Sequence, residues 1–263
     1  MSILGQIHSD IFKTIKLFRL FLRSRYFGSR FGVVWAILSP LLMLLLYIFV
    51  FTFIMRVTVV GSDNPLDYVR WFICGFSPWM MINESVVSSC VAIVNNVQIA
   101  KNFPIKKELL PIASAFLGLP QLTVGLVVFF VLTLITGAGL SWNFLWILML
   151  LPLSLAFLSG LSFFLSALTV FFRDIQQVIG TVLVALMFLS SVFNPMESLP
   201  IWMQAIMKVN PFYWLLEFYR QVLFYKSHPN GYGVLYITVL SLLLWFFGLH
   251  FFRKKSGYFE SAL

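Results

Sequence analysis

Charge is scarce in this sequence. Asp, Glu, Lys and Arg make up 10% of its 263 residues, where a soluble domain carries about 25%. Hydrophobic residues reach 60%. So few charges cannot cover a water-facing surface of this size, and lipid is the solvent that removes the need. That excludes an ordinary soluble enzyme. Acidic residues are the rarest: nine Asp and Glu against eighteen Lys and Arg give a net charge of +9. The cations cluster beside apolar runs, which leaves no basic fold to bind nucleic acid.

Chemical signatures are missing too. The sequence holds no G-x-x-x-x-G-K-[ST] phosphate loop and no G-x-S-x-G elbow. His8, His228 and His250 stand far apart, without metal-ligand spacing. Glu84 is the one carboxylate clearly inside an apolar run, whereas ion-driven transporters carry several ionisable groups at mid-membrane. A membrane-embedded glycan-modifying enzyme would need a convergent catalytic set, and none is visible. The expectation is a chain with no catalytic residue, no metal and no cofactor of its own. The two cysteines, Cys74 and Cys90, fall in one apolar stretch. On a helix they would stand about 24 Å apart, too far for a disulfide, and they read as packing residues. Residues 1–30 are charge-studded and do not resemble a cleavable signal. With no repeat, linker or low-complexity tract, residues 1–263 read as a single membrane domain.

Apolar runs are what the sequence has in abundance. Six are long: 33–55, 71–94, 109–136, 144–172, 175–193 and 234–252. The first has no charge and reaches about 35 Å as a helix, enough for a hydrocarbon core of about 30 Å. An all-α protein with six transmembrane helices is therefore expected, its bundle lying within 33–252. Ahead of it, Ile7, Ile11, Ile15, Phe18 and Leu22 recur every three or four residues, with Lys13, Lys16, Arg19 and Arg23 mostly opposite. This pattern predicts an amphipathic helix in the membrane interface; a helix docked on another part of the protein is the alternative. With the N-terminus inside, thirteen cations fall on the inner side. Arg56, Arg70, Lys208, Arg220 and Lys226 fall outside. The positive-inside rule then puts both termini, with the 253–263 tail, in the cytoplasm.

Residues 194–231 do not fit a simple span. Pro195, Pro200 and Pro211 divide them into pieces of about 14 Å (201–209) and about 21 Å (212–225), too short to cross. Such pieces suit a re-entrant outer hairpin, a gate candidate containing Pro195, Pro211, Glu217 and Arg220. A short amphipathic pair lying flat outside is the alternative. Glu217 and Arg220 are three apart, so on a helix they can meet, either sealing a channel or only neutralising charge.

Four segments carry a family resemblance. Residues 25–41, from Arg25-Tyr26-Phe27-Gly28 to Ser39-Pro40-Leu41, resemble the approach to the first span of ABC-2 permeases. Asn102-Phe103-Pro104-Ile105-Lys106-Lys107 and the residues to Pro111 resemble the loop after the second. Phe171-Phe172-Arg173-Asp174-Ile175 is similar to the turn between the fourth and fifth. Asn210-Pro211-Phe212 with Glu217-Phe218-Tyr219-Arg220 resembles the outer hairpin. The segments keep the family's order over most of the chain, and the nearest subgroup exports O-antigen, teichoic acid and capsule polysaccharides. Ser190-Ser191 departs from the pattern, which has a proline after the first serine. The resemblance implies a homodimer in the bacterial inner membrane, bound to two copies of a cytosolic ATPase that holds ATP and Mg. It also implies export of a lipid-linked polysaccharide; a drug or lipid substrate is the alternative within the family.

Site residues follow. Asn102, Phe103, Pro104, Lys106 and Lys107 are candidates for ATPase coupling, since Pro104 interrupts the helix and the lysines hold the segment in water; the same lysines would also serve as plain inner anchors. Arg173 and Asp174, in a very short inner turn, either set that turn or join the coupling surface. Glu84 is expected to face the bundle interior, as an acceptor for substrate or as a helix-to-helix tie. Trp79, Tyr213, Trp214 and Tyr219 are candidates for a substrate path, where flat rings pack on sugar faces. Most of the thirty Phe read as packing or lipid-facing side chains.

Overall fold

An apolar segment in lipid has only its own backbone to satisfy its N–H and C=O groups, so each run coils into helix. The computed structural model describes residues 3–56, 65–103 and 105–259, and these contain helices and turns but no strand. The helices are α1 (Ile3–Arg25), α2 (Trp35–Phe49), α3 (Pro65–Cys90), α4 (Val97–Asn102), α5 (Leu109–Ala115), α6 (Leu119–Ile135), α7 (Ile147–Phe171), α8 (Ile175–Phe188), α9 (Ile201–Val209), α10 (Pro211–Leu223) and α11 (Gly231–Ser256). Pro104 lies outside the described residues.

Four stretches are long and apolar enough to cross a membrane: Gly32–Ile54, Leu109–Ile135, Trp142–Phe171 and Gly231–Ser256. The pair α3 and α4, bent by 59°, makes a fifth candidate if counted as one span. The run 175–193 is helical only over the 14 residues of α8, about 21 Å, short of a full crossing. Its end has a local cause. The Ser190 hydroxyl bonds back to the Leu186 carbonyl at 2.6 Å, and Ser191 takes φ +57°. That backbone is closed to proline, whose ring holds φ near −65°.

Contacts define two ends of the bundle. At the basal end, Lys106 pairs with Asp10, and Arg253 with Glu108 at 2.8 Å, which gathers α1, residues 105–108 and the end of α11. At the far end, Tyr68 bonds the Phe193 carbonyl at 2.9 Å, and Trp146 donates to His228 Nδ1 at 3.1 Å. Between them α3 forms the axis, buried along most of its length against α5, α6, α7 and α10. Cys74 and Cys90 are both buried free thiols on this helix. Helices α7 and α11 pack along most of their length. An added Cβ at Gly248 would stand 2.7 Å from the Gly160 carbonyl oxygen, so the small residues are what let these backbones approach.

Two elements sit differently from their sequence pattern. In α1 the buried residues among those described are Thr14 and Phe21, packed toward α5, and Phe18 and Leu22 of the apolar stripe are partly buried beside them, whereas Ile11 and Ile15 remain exposed; the Ile7 side chain lies outside the described residues. The hairpin pieces also divide. Helix α9 exposes Ile201, Trp202 and Val209, while α10 is buried along most of its length among α3, α7 and α11.

Candidate functional site

A cavity of about 680 Å³ opens between α2, α3 and α8. Trp35 and Tyr47 from α2 and Phe76 and Trp79 from α3 supply rings, while Asn83 and Glu84 supply polar atoms. The spacing is local in origin. Residues 76, 79, 80, 83 and 84 recur at three and four, which sets them on one face of α3.

The rings continue as a column beyond the cavity. Tyr47 lies 4.8 Å from Phe76 and 5.2 Å from Phe72, centroid to centroid. Phe72 stacks on Phe193 at 5.8 Å, and Phe51 meets Tyr68 at 5.1 Å. These are edge-to-face and offset geometries that aromatic pairs prefer. The column runs from the middle of α3 toward the far end.

Glu84 marks the basal mouth of the cavity. It lies six residues before the end of α3, about 9 Å along the axis. Its carboxylate accepts from Arg25 Nη1 and, at 2.5 Å, from the Ser88 hydroxyl. Arg25 is the last residue of α1. Burial works against its charge, yet the hydrogen bond and charge of Glu84 outweigh burial and raise its pKa. The pair therefore ties α1 to α3 across the mouth. Arg25 also lines a second, more polar cavity of about 340 Å³ beside Ser88, Asn95 and Asn96.

The other path candidates are placed deeper. Trp79 lines the cavity and meets Phe212 edge-on at 6.3 Å. Tyr213, Trp214 and Tyr219 are buried in the core of α10, and Trp214 donates to the Lys208 carbonyl at 2.8 Å. None of these three lines the cavity.

The hairpin is held by two polar side chains. Asn210 accepts from the Phe212 N–H at 3.0 Å, which caps α10, and Pro211 opens that helix. Its amide also donates to the Leu189 carbonyl and the Ser190 hydroxyl. Arg220 is only 1% exposed, with its guanidinium 3.8 Å from the centre of the Trp71 ring. It donates to the Val192 carbonyl at 2.9 Å, and Glu217 lies 4.0 Å away. Gly75 makes the room: a Cβ there would overlap the guanidinium. Arg70 is buried as well, bonding Thr133 at 3.3 Å and Asp67 at 3.1 Å. Both arginines, assigned by sequence to outer loops, are thus interior ties at the far end. Pro195 precedes the turn Met196–Ser198 and accepts from the Ser198 hydroxyl.

At the basal end Asn102 bonds Gln98 at 2.9 Å, and Phe103 is 60% exposed. Lys106 is paired with Asp10, and the Lys107 carbonyl accepts from Leu110. Arg173 and Asp174 are exposed and open α8 through backbone hydrogen bonds, Gln177 N–H reaching the Asp174 carbonyl at 3.0 Å. Sequence reasoning missed Arg25 as a partner of Glu84 and Tyr47 and Asn83 altogether, and it named Asn210 only within the hairpin resemblance, not as a cap. For Asn210 a signal was present, an Asn directly before a helix-opening Pro. For Arg25 there was none, because its partner is 59 positions away.

A model of the ABC-2 type transporter family matches residues 15–224. The chain is 26% identical over 246 residues to the O-antigen export system permease protein RfbA of Klebsiella pneumoniae, covering 92% of this chain and 91% of that protein. It is 24% identical over 250 residues to an RfbA permease of Myxococcus xanthus, covering 94% of each. It is 25% identical over 243 residues to the polysialic acid transport protein KpsM of Escherichia coli, covering 91% of this chain and 92% of that one.

Proposed function

The chain belongs to the ABC-2 type transporter family, and from that premise we propose that it is the membrane permease subunit of an ATP-driven exporter of lipid-linked polysaccharide. One observation carries the reading beyond family: the likeness to permeases named for O-antigen and polysialic acid runs over more than nine-tenths of both chains. The cavity supports it. Sugar rings present apolar faces that stack on flat side chains and hydroxyls that need acceptors, and Trp35, Tyr47, Trp79, Asn83 and Glu84 offer both in one groove.

In this reading two copies face each other and enclose the path, and two copies of a cytosolic ATPase hold ATP and Mg. The ATPase meets the 102–107 loop, and the exposed Phe103 ring is the contact that transmits its motion, with Arg173 and Asp174 beside it. Both termini are cytoplasmic in the inner membrane of a bacterium, which puts the basal cations on the inner side. Helix α8 completes a sixth crossing together with the turn after it, and α9–α10 form a re-entrant outer gate, pinned by Asn210 and Arg220. Arg25 and Glu84 close the basal mouth until substrate arrives.

A deletion in the native host tests this. The expected outcome is loss of surface polysaccharide with lipid-linked polymer accumulating inside. Normal surface polysaccharide in a host without a second exporter would overturn it in favour of a drug or lipid substrate.

A further inference from the structure

A third cavity, of about 670 Å³, lies between α1, α5, α7 and α11 and shares no residue with the aromatic groove. Its walls are hydrocarbon, including Ile11, Ile15, Ile112, Leu155 and Leu249. Ile11 and Ile15 are exposed, at 55% and 40%. An apolar cavity does not hold water well, so exposed isoleucines at the basal end call for hydrocarbon from outside the chain.

The mouth of the cavity is charged. Lys106 and Arg253 both line it, each paired with a carboxylate, Asp10 and Glu108. Asp10 and Glu108 line the cavity too, so the formal charges balance, but the cations are the more exposed members: Lys106 is 53% exposed against 26% for Asp10, and Arg253 63% against 19% for Glu108. An ammonium has three donors and a guanidinium five, so one ion pair leaves each cation donors to turn outward. Two cations above a hydrocarbon slot are complementary to one molecule with a negative head and an apolar tail.

We propose that this cavity binds an anionic phospholipid, with one acyl chain in the slot and the phosphate on Lys106 and Arg253. Basic pockets between membrane helices are suited to such headgroups. The lipid is a resident component rather than cargo, because the slot is separate from the groove. Bound there, its phosphate joins the segment 105–108 to α11 while its chain covers the exposed side of α1. The position of that segment then depends on the lipid.

The test is native mass spectrometry of the full chain in detergent, titrated with phosphatidylglycerol and phosphatidylcholine of identical chains. Wild type is expected to retain phosphatidylglycerol preferentially. Lys106→Gln with Arg253→Gln lowers that preference about fivefold for each cation removed. Asp10→Asn with Glu108→Gln raises phosphatidylglycerol retention, an outcome that misfolding would not produce. Ala156→Phe, which fills the slot, lowers retention of both lipids. Lys254→Gln, outside the cavity lining, changes neither. Equal retention of the two lipids by wild type, or a headgroup preference that survives the loss of both cations, would overturn the site. Undiminished retention in Ala156→Phe would overturn the placement of the chain.

Discussion

Arg25, the last residue of α1, gives its guanidinium to the Glu84 carboxylate inside α3, and the Ser88 hydroxyl meets the same oxygen at 2.5 Å. One ion pair thus attaches the N-terminal helix to the bundle axis at the mouth of the aromatic cavity. Arg25 is half-exposed and Glu84 largely covered, so water screens part of the attraction.

A double-mutant cycle measures this tie. Arg25→Ala and Glu84→Ala are each expected to lower the melting temperature of the purified chain, and the coupling energy should be about 1 kcal/mol. A coupling of zero would show that the two side chains act independently. Because the Arg25 pKa is raised in the folded chain, its contribution is complete below the ordinary arginine value and is lost only above the raised one. The stabilisation Arg25 brings should therefore stay constant across physiological pH, as melting curves at several pH values would reveal. In export assays Glu84→Gln keeps the shape but removes the charge, and the expected result is reduced surface polymer in cells that still make normal amounts of the protein.

Arg220 predicts a larger effect. Its guanidinium is enclosed by Trp71, the Val192 carbonyl and the backbone of Gly75. Arg220→Ala should destabilise the chain by about 2–4 kcal/mol, since buried charged hydrogen bonds are lost and their acceptors stranded. Gly75→Ala attacks the same place from the other side and should cost about 1–3 kcal/mol by overpacking. Unfolding of both variants in one detergent would check the ranking, and unchanged stability in Gly75→Ala would mean that α10 yields easily.

Phe103→Ala should leave folding intact, because the ring is mostly exposed and little packing is lost. With the ATPase present, the expected outcome is export reduced about tenfold while ATP hydrolysis continues. Hydrolysis and export measured side by side would decide it: normal coupling removes Phe103 from the contact.

Gly160 and Gly248 let α7 and α11 approach. Replacing either with Leu should force the helices apart and cost about 1–3 kcal/mol. Gly180, where an added Cβ meets nothing within 4 Å, serves as the control, and Gly180→Ala should be close to neutral. Comparable losses at Gly160 and Gly180 would refute the close approach as the cause.

Several parts of this architecture were legible in residue order. The unbroken apolar stretch 33–55 and the prolines around 201–209 act through neighbouring residues, and helices appear at Gly32–Ile54 and Ile201–Val209 accordingly. Other parts were not. The 175–193 run is apolar to its end, yet its helix stops at Phe188, and beyond the turn at Ser190 and Ser191 the chain is held by Val192 and Phe193, which give their carbonyls to Arg220 and Tyr68. Those donors come from other helices, and no local pattern announces them. The stripe of α1 did not tell which of its residues pack: Phe18 and Leu22 lie against the bundle beside Phe21, while Ile11 and Ile15 stay exposed.

The sequence by itself determined the solvent and the backbone. Sixty per cent hydrophobic residues with 10% charge is a sum over the whole chain, and any fold of it must meet lipid with satisfied backbone, hence helices. The tertiary structure decided where the few charges go. Glu84 found Arg25, and Arg70 and Arg220 moved from expected loops to the interior. A charge in an apolar surrounding takes whichever partner packing brings within reach, and that partner is chosen by how helices distant in sequence lie against one another.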